Sequence, residues 1–241
     1  MLAGPSSVPG RLGSSLAECG YVLQVALDYT SLWDAVSLAS RIGARRGVAL
    51  EVGTPLLKAH GARDSVAALR GVAGEEAPVV VDTKTADASD VEADIVASSG
   101  GDAFTVVAAA HDVTLKQAAE AAVQRGVAVY GDLVVSRDPL LDARRAVDAG
   151  VHIVLLHLGL DVQRALGLTA SSRVDLVRRM ASEIDATIAV AGGVKPGEAG
   201  ALASAGASIV IIGGAITGSP DPGREVEKAL ESLRGEGFRC R

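Results

Sequence analysis

Apolar positions along the chain gather into eight short runs. They are "YVLQVAL" (21–27), "GVALEV" (47–52), "PVVVDT" (78–83), "AFTVVA" (103–108), "GVAVYGDL" (126–133), "VHIVLL" (151–156), "ATIAVA" (186–191) and "SIVIIG" (208–213). Each is too short for a helix and nearly all apolar, as expected of strands covered on both faces. Between them lie alanine-rich stretches with helical periodicity, such as "SLWDAVSLASRIG", "VTLKQAAEAAVQRG", "PLLDARRAVDAG" and "GREVEKALESLRG". Several end in glycine, a common helix stop. This alternation predicts parallel βαβ units, and the strand count and length predict a (β/α)8 TIM barrel. An open doubly wound sheet is the alternative, but it usually has fewer strands, and no GxGxxG follows the first run. No Pro-, Gly- or Ser-rich linker interrupts residues 21–234, which read as a single catalytic domain. Residues 1–20 read as a flexible leader without a signal peptide's apolar centre, and residues 235–241 as a C-terminal tail.

In such a barrel, the site is built at the C-terminal ends of the strands. The polar residues found there are Asp28, Glu51, Asp82 with Lys84 and Asp87 beyond it, His111, Asp132 and His157. Gly192 and Gly193 follow the seventh run, and Gly213 and Gly214 the eighth. Alternation along a strand sends Asp82 and Lys84 to the same side. Two carboxylates from adjacent strands suit Mg²⁺, which keeps water in its other positions. A lysine beside carboxylates stays protonated, and a histidine at a strand tip suits proton transfer. Each also has a structural explanation: an ion network pinning strand ends, a satisfied histidine, tight glycine turns. His111 reads as the start of a helix beside Asp112, and His60 and His152 are given no role. The two glycine pairs stand where barrels commonly hold phosphate. The pattern as a whole suggests a phosphorylated substrate, a divalent metal and proton chemistry through an enediolate.

Composition narrows the partners. The 241 residues carry a net charge of −6 without a basic run, and only 2% aromatics, which argues against nucleic acid. No apolar run approaches membrane-spanning length. Two cysteines, Cys19 and Cys240, lie near opposite ends without metal-ligand spacing. They do not indicate a disulfide framework, and a reducing cytoplasm is the simplest setting.

The chain resembles the orotidine monophosphate decarboxylase superfamily, whose D-x-K-x-x-D motif is met by Asp82, Lys84 and Asp87. Within it, "LQVALD" (23–28), "EVGTPLLKAHG" (51–61), "DTKTADASDVEA" (82–93), "HLGLDVQRALG" (157–167), "AVAGGV" (189–194) and "IIGGAITGSPDP" (211–222) resemble 3-hexulose-6-phosphate synthase and 3-keto-L-gulonate-6-phosphate decarboxylase. The resemblance implies Mg²⁺ at Glu51 and Asp82, substrate contacts from Lys84 and Asp28, and a proton shuttle at His157. It also implies phosphate at the glycine pairs and a homodimer in which Asp87 serves the neighbouring site. The synthase condenses formaldehyde with D-ribulose 5-phosphate through a metal-bound enediolate, and the decarboxylase releases CO₂ from a keto-hexonate phosphate. "GGAITG" lacks an arginine at Gly214 and "HLGLD" lacks the one after the histidine, which favours the synthase. Leu158, where synthases often have threonine, and His111 depart from the pattern and leave open a related enzyme acting on another pentulose or hexulose phosphate. A barrel that has lost catalysis and serves as a binding protein is the other alternative. The intact charge set argues against it, because unpaired buried charges are costly.

Overall fold

The computed structural model describes residues 8–237, 239 and 240. A closed barrel of eight parallel strands follows chain order, β1 to β8. The strands are β1 Val22–Leu27, β2 Val48–Val52, β3 Val79–Thr85, β4 Ala103–Val107, β5 Ala128–Asp132, β6 Ile153–His157, β7 Thr187–Ala191 and β8 Ile209–Ile212. Every predicted run holds one strand. Outside them lie α1 Gly10–Cys19, α2 Leu32–Ile42, α3 Thr54–Ala73, α4 Ser89–Ser98, α5 Asp112–Arg125, α6 Pro139–Asp148, α7 Leu160–Leu166, α8 Val174–Glu183, α9 Ala199–Ser204, α10 Gly214–Thr217 and α11 Pro222–Arg234. Among the described residues no helix is long and apolar enough to cross a membrane.

The runs are continuously apolar because each strand contributes to two cores. Residues such as Leu23, Val25, Leu50, Val81, Val129 and Val190 pack outward against the helices. The alternate residues, among them Val22, Ala26, Ala49, Val80, Ala103, Ala128, Tyr130 and Ile153, fill the barrel interior. Pairing is in unbroken parallel register except on β3, where the ladder to β4 shifts between Val81 and Thr85. That shift lies inside the D-x-K motif.

Two expectations are corrected at the barrel floor. Residues 10–19, read as flexible leader, form α1. Leu12 is completely buried within the interior cluster, with Val8 and Leu16 packed beside it. The helix is therefore a plug, closing the end of the barrel opposite the site. Arg11 donates to Asp102 at 3.0 Å and pairs with Glu75, while Arg70 pairs with the other Asp102 oxygen. Residues 1–7 of the expected leader lie outside the described residues. The cysteines, read as no disulfide framework, are joined as Cys19–Cys240 across a sequence separation of 221. The physical reason is that a closed barrel returns its last helix next to its first strand, so the end of α1 meets the C-terminal tail. Arg239 N–H donates to Cys19 O at 3.1 Å in the same place.

The cross-link closes a loop spanning nearly the whole barrel, so it restricts the unfolded chain strongly. Cys240→Ser should lower the unfolding free energy by about 2–4 kcal/mol in urea titrations under non-reducing conditions. Equal stability of variant and wild type would mean that the Leu12 and Arg11 contacts hold the plug alone.

Candidate active site

At the C-terminal ends of the strands lies a cavity of about 810 Å³, lined among others by Asp28, Glu51, Asp82, Lys84, His157, Gly192, Gly193, Gly213 and Gly214. Nine of the ten residues proposed from the sequence therefore share one space. Glu51, Asp82, Lys84 and His157 sit on the ends of their strands, while Asp28 and the two glycine pairs follow β1, β7 and β8, where the apolar interior gives way to open cavity.

The β3 irregularity gives the site its centre. Lys84 has a left-handed backbone, φ 48°, which is costly for a residue with a Cβ and long side chain. Side chains stand in for the displaced ladder. Thr83 Oγ1 donates to Thr105 O at 2.6 Å, and Lys84 N–H donates to Thr105 Oγ1 at 2.8 Å. Thr105 Oγ1 in turn donates to Asp82 Oδ1 at 2.9 Å. Thr54 Oγ1 donates to Asp82 Oδ2 at 2.8 Å, and the Lys84 ammonium pairs with the same oxygen. Asp82 is thus bound on both oxygens, and Lys84 Nζ also lies 3.6 Å from Asp132 Oδ2.

Charge is unbalanced here. Asp28, Glu51, Asp82 and Asp132 face Lys84 and His157. Burial, then the charge of Asp82, pushes the Glu51 carboxyl well above its ordinary value. Asp28 rises for the same reasons, although the open mouth leaves it reachable by solvent. A Cβ at Gly53 would come within 2.2 Å of Asp28 Oδ1, so glycine there makes room for the carboxylate. Burial would raise Asp82 too, but the charge and hydrogen bond of Lys84 outweigh it and the net direction is down. Burial works against the Lys84 ammonium, and Asp82 and Asp132 outweigh it, so its pKa is raised.

Asp132 was noted at a strand end in the sequence but given no role. It is completely buried and receives the His157 Nδ1–H, 3.1 Å from each oxygen. Val134 N–H donates to Asp132 Oδ1 at 2.9 Å. The tautomer is thereby set, and Nε2 is the free ring nitrogen. Burial lowers the imidazole pKa, but the hydrogen bond and charge of Asp132 more than offset it, giving a net rise. Lys195, also missed, contributes a second lysine to the cavity wall beside the first glycine pair.

The glycine pairs differ from one another. Gly192 and Gly193 have φ of 114° and 69°, and a Cβ on Gly192 would lie 2.4 Å from Leu158 O. The fold therefore requires glycine there whatever binds. At Gly214 an added Cβ meets nothing within 4 Å and φ is ordinary, so local packing does not demand glycine.

Other candidates separate from the site. Asp87 is exposed and does not line the cavity. It does not cap α4 either, whose preceding residue, Ala88, is left-handed and whose first turn takes no side-chain cap. His111 itself caps α5, its Nδ1 accepting from Val113 N–H at 3.2 Å. His60 contacts Thr30 O at 3.0 Å and His152 is buried, with Nδ1 accepting from Val129 N–H. Leu158 ties β6 to β7 by donating to Ala191 O at 3.0 Å and is not part of the cavity wall.

Among the described residues no three His, Cys, Asp or Glu gather into a complete metal cage. Glu51 and Asp82, with excess negative charge around them, instead fit a hard divalent cation that uses one or two carboxylates and completes its shell with water or substrate oxygens.

Compared with known proteins, residues 21–229 match the sequence model of the "Orotidine 5'-phosphate decarboxylase / HUMPS family". The 3-hexulose-6-phosphate synthase of Mycobacterium gastri is 36% identical over 202 residues, covering 83% of this chain and 93% of that one. The crystal structure of 3-hexulose-6-phosphate synthase from Salmonella typhimurium superposes with a TM-score of 0.81 at 29% identity, covering 89% and 99%. That of 3-keto-L-gulonate-6-phosphate decarboxylase from Vibrio cholerae gives 0.73 at 25%, covering 91% and 99%.

Because Asp132 raises the His157 pKa, its contribution to stability is present below the ordinary value of 6.5 and fades as pH rises through the raised value. In Asp132→Asn burial remains without the compensating charge. An NMR titration should place the His157 midpoint above 6.5 in wild type and below it in the variant. Equal midpoints would remove Asp132 as the cause.

Proposed function

The chain belongs to the orotidine 5'-phosphate decarboxylase / HUMPS family, and on that premise we propose that it is a 3-hexulose-6-phosphate synthase-like aldehyde-lyase, adding formaldehyde to C1 of D-ribulose 5-phosphate. The observation that carries this reading is the cavity wall itself. Beside the charged cluster it is apolar, with Val134, Val135, Leu155 and Leu160, and among the described residues no arginine lines it. A small neutral electrophile is suited by such a wall, whereas a keto-hexonate substrate brings an additional carboxylate that would want a cation there. The open space at Gly214 agrees with the same choice.

The assignment of roles follows the geometry. Neutral His157 takes the C1 proton of ribulose 5-phosphate on Nε2, and the buried Asp132 carboxylate stabilises the imidazolium. The electron pair released forms the enediolate, and Lys84, held charged by Asp82 and Asp132, donates hydrogen bonds to its developing negative oxygen. C1 then attacks the formaldehyde carbon. The carbonyl electrons move to oxygen, which recovers the proton from His157 to give the new hydroxymethyl group. Asp28 bonds the sugar hydroxyls, and the phosphate lies at Gly192, Gly193, Gly213 and Gly214, with Lys195 nearby as a counter-charge. Glu51 and Asp82 would hold a divalent cation, assigned as Mg²⁺, which would supply Lewis-acid stabilisation of negative charge. We assign the enzyme to the cytoplasm, where charged sugar phosphates are retained. In the disulfide, Cys19 is 1% exposed and Cys240 is half-buried.

Asp87 is assigned to a second subunit. It is exposed beyond the end of β3 and its side chain makes no hydrogen bond to a described residue, as suits a residue reaching across a two-fold axis. The keto-gulonate-phosphate decarboxylase alternative shares the enediolate but reaches it by loss of CO₂ rather than by removal of a C1 proton, and C1 is then protonated instead of joined to formaldehyde.

Without formaldehyde the enzyme should exchange the C1 hydrogen of ribulose 5-phosphate with D₂O. Glu51→Gln, Asp82→Asn and EDTA treatment should each suppress exchange by roughly a hundredfold or more, as loss of charge stabilisation at a reacting centre does. Full-rate exchange in EDTA would reject the metal role. Absence of exchange, with CO₂ release from 3-keto-L-gulonate 6-phosphate, would move the assignment to the decarboxylase.

Asp87 is tested by subunit mixing. Inactive Glu51→Ala and Asp87→Ala proteins, allowed to exchange, should regain about a quarter of wild-type activity, since half the dimers are mixed and each has one intact site. Activity that stays at background despite confirmed exchange would return Asp87 to its own chain.

A further inference from the structure

Below the charged cluster the barrel interior contains a polar chain that the reaction described above leaves unused. Gln24 on β1 and Tyr130 on β5 are both buried, at inward positions of strands far apart around the barrel. Tyr130 Oη–H donates to Gln24 Oε1 at 2.9 Å, and Gln24 Nε2–H donates to Glu51 Oε2 at 2.7 Å. Around them the interior is apolar, formed by Val22, Ala26, Val80, Ile153, Leu155 and Ile211.

The direction of this chain is fixed. Burial, and then the charge of Glu51, keeps the Tyr130 phenol neutral, so it always has one hydrogen to place. Gln24 is the only hydrogen-bond partner of the Tyr130 hydroxyl among the described residues. The phenol therefore claims Oε1, and because the amide is planar its NH₂ is turned to Glu51. Only Oε2 of Glu51 is bonded; Oε1 takes no hydrogen bond from any described residue, and Glu51 lines the cavity.

We propose that Tyr130 and Gln24 are positioning residues for Glu51: they hold Oε2 from beneath, so that Oε1 is offered to a divalent cation at the mouth. The inference rests on the Mg²⁺ reading given under Proposed function. If the pair served only to fill the barrel, apolar replacements of similar volume would leave cation binding unchanged.

The test uses Mn²⁺ as the probe, with free Mn²⁺ followed by EPR and no substrate present. Wild type is compared with Gln24→Leu, Tyr130→Phe, the double variant Gln24→Leu/Tyr130→Phe, and Glu51→Gln. Removing a group that orients a ligand costs about 10–100-fold in metal affinity. Gln24→Leu should weaken Mn²⁺ binding at least tenfold on that scale. Tyr130→Phe should weaken it less, because the released amide can turn its oxygen to Glu51 for part of the time. The double variant should be no worse than Gln24→Leu, since both changes act through one carboxylate oxygen. It also leaves no buried hydroxyl unpaired, so it carries the decision if Gln24→Leu alone does not fold, and Tyr130→Phe carries it if neither does. If the folded variants bind Mn²⁺ as wild type does while Glu51→Gln loses it, the positioning role is overturned and the cation site stands. If Glu51→Gln binds Mn²⁺ as wild type does, or wild type does not bind it, the cation site fails and the positioning role fails with it.

Discussion

Charge balance in a partly enclosed space is the constraint on which the mouth of this barrel depends. Asp28, Glu51, Asp82 and Asp132 approach one another from four strands, and Lys84 is the permanent cation among them. Two carboxylates are relieved by direct partners: Asp82 by Lys84 and two threonines, Asp132 by His157 and a backbone amide. Glu51 and Asp28 are not relieved to that degree, and their raised pKa values record it. A site with unspent negative charge next to a held ammonium is prepared for a cation and for an anionic intermediate together. The β3 bulge belongs to the same balance, because without the left-handed turn at Lys84 the ammonium would have to reach Asp82 from a regular strand position. Strain of this kind is characteristic of functional positions.

Much of the fold was legible because a strand covered on both faces must be apolar at nearly every position. Each of the eight runs therefore announced itself without alternation. The plug helix was not legible for the opposite reason. "GRLGSSLAEC" carries two glycines and two serines before its second leucine and reads as coil. What makes it helical is the small-residue hollow beneath the barrel, where Ala103 and Ala128 leave space that Leu12 fills. That hollow exists only after the barrel closes. The Cys19–Cys240 pair is hidden similarly, since sequence separation conceals the return of the last helix to the first strand.

The site was legible as a position and less so as a set of roles. Strand-end geometry picked out Asp28, Glu51, Asp82, Lys84 and His157, and all five line the cavity. Asp132 occupied an equally visible strand end, but its importance depends on His157 of the next strand turning Nδ1 toward it, which no spacing rule gives. Gln24 could have been suspected, being the one polar residue inside an otherwise apolar run. Its purpose needed Tyr130, 106 residues away in sequence. For Asp87 the local alternative, a helix cap, is removed by the left-handed Ala88.

The junction of α1 with the tail makes the covalent graph of this chain almost circular: backbone in one direction, a sulfur bridge in the other. Cys19 and Cys240 already touch, so a short peptide could join these two positions and the break be moved elsewhere without altering the order of strands around the barrel. The loops of the floor, remote from the mouth, are the natural places for such new ends.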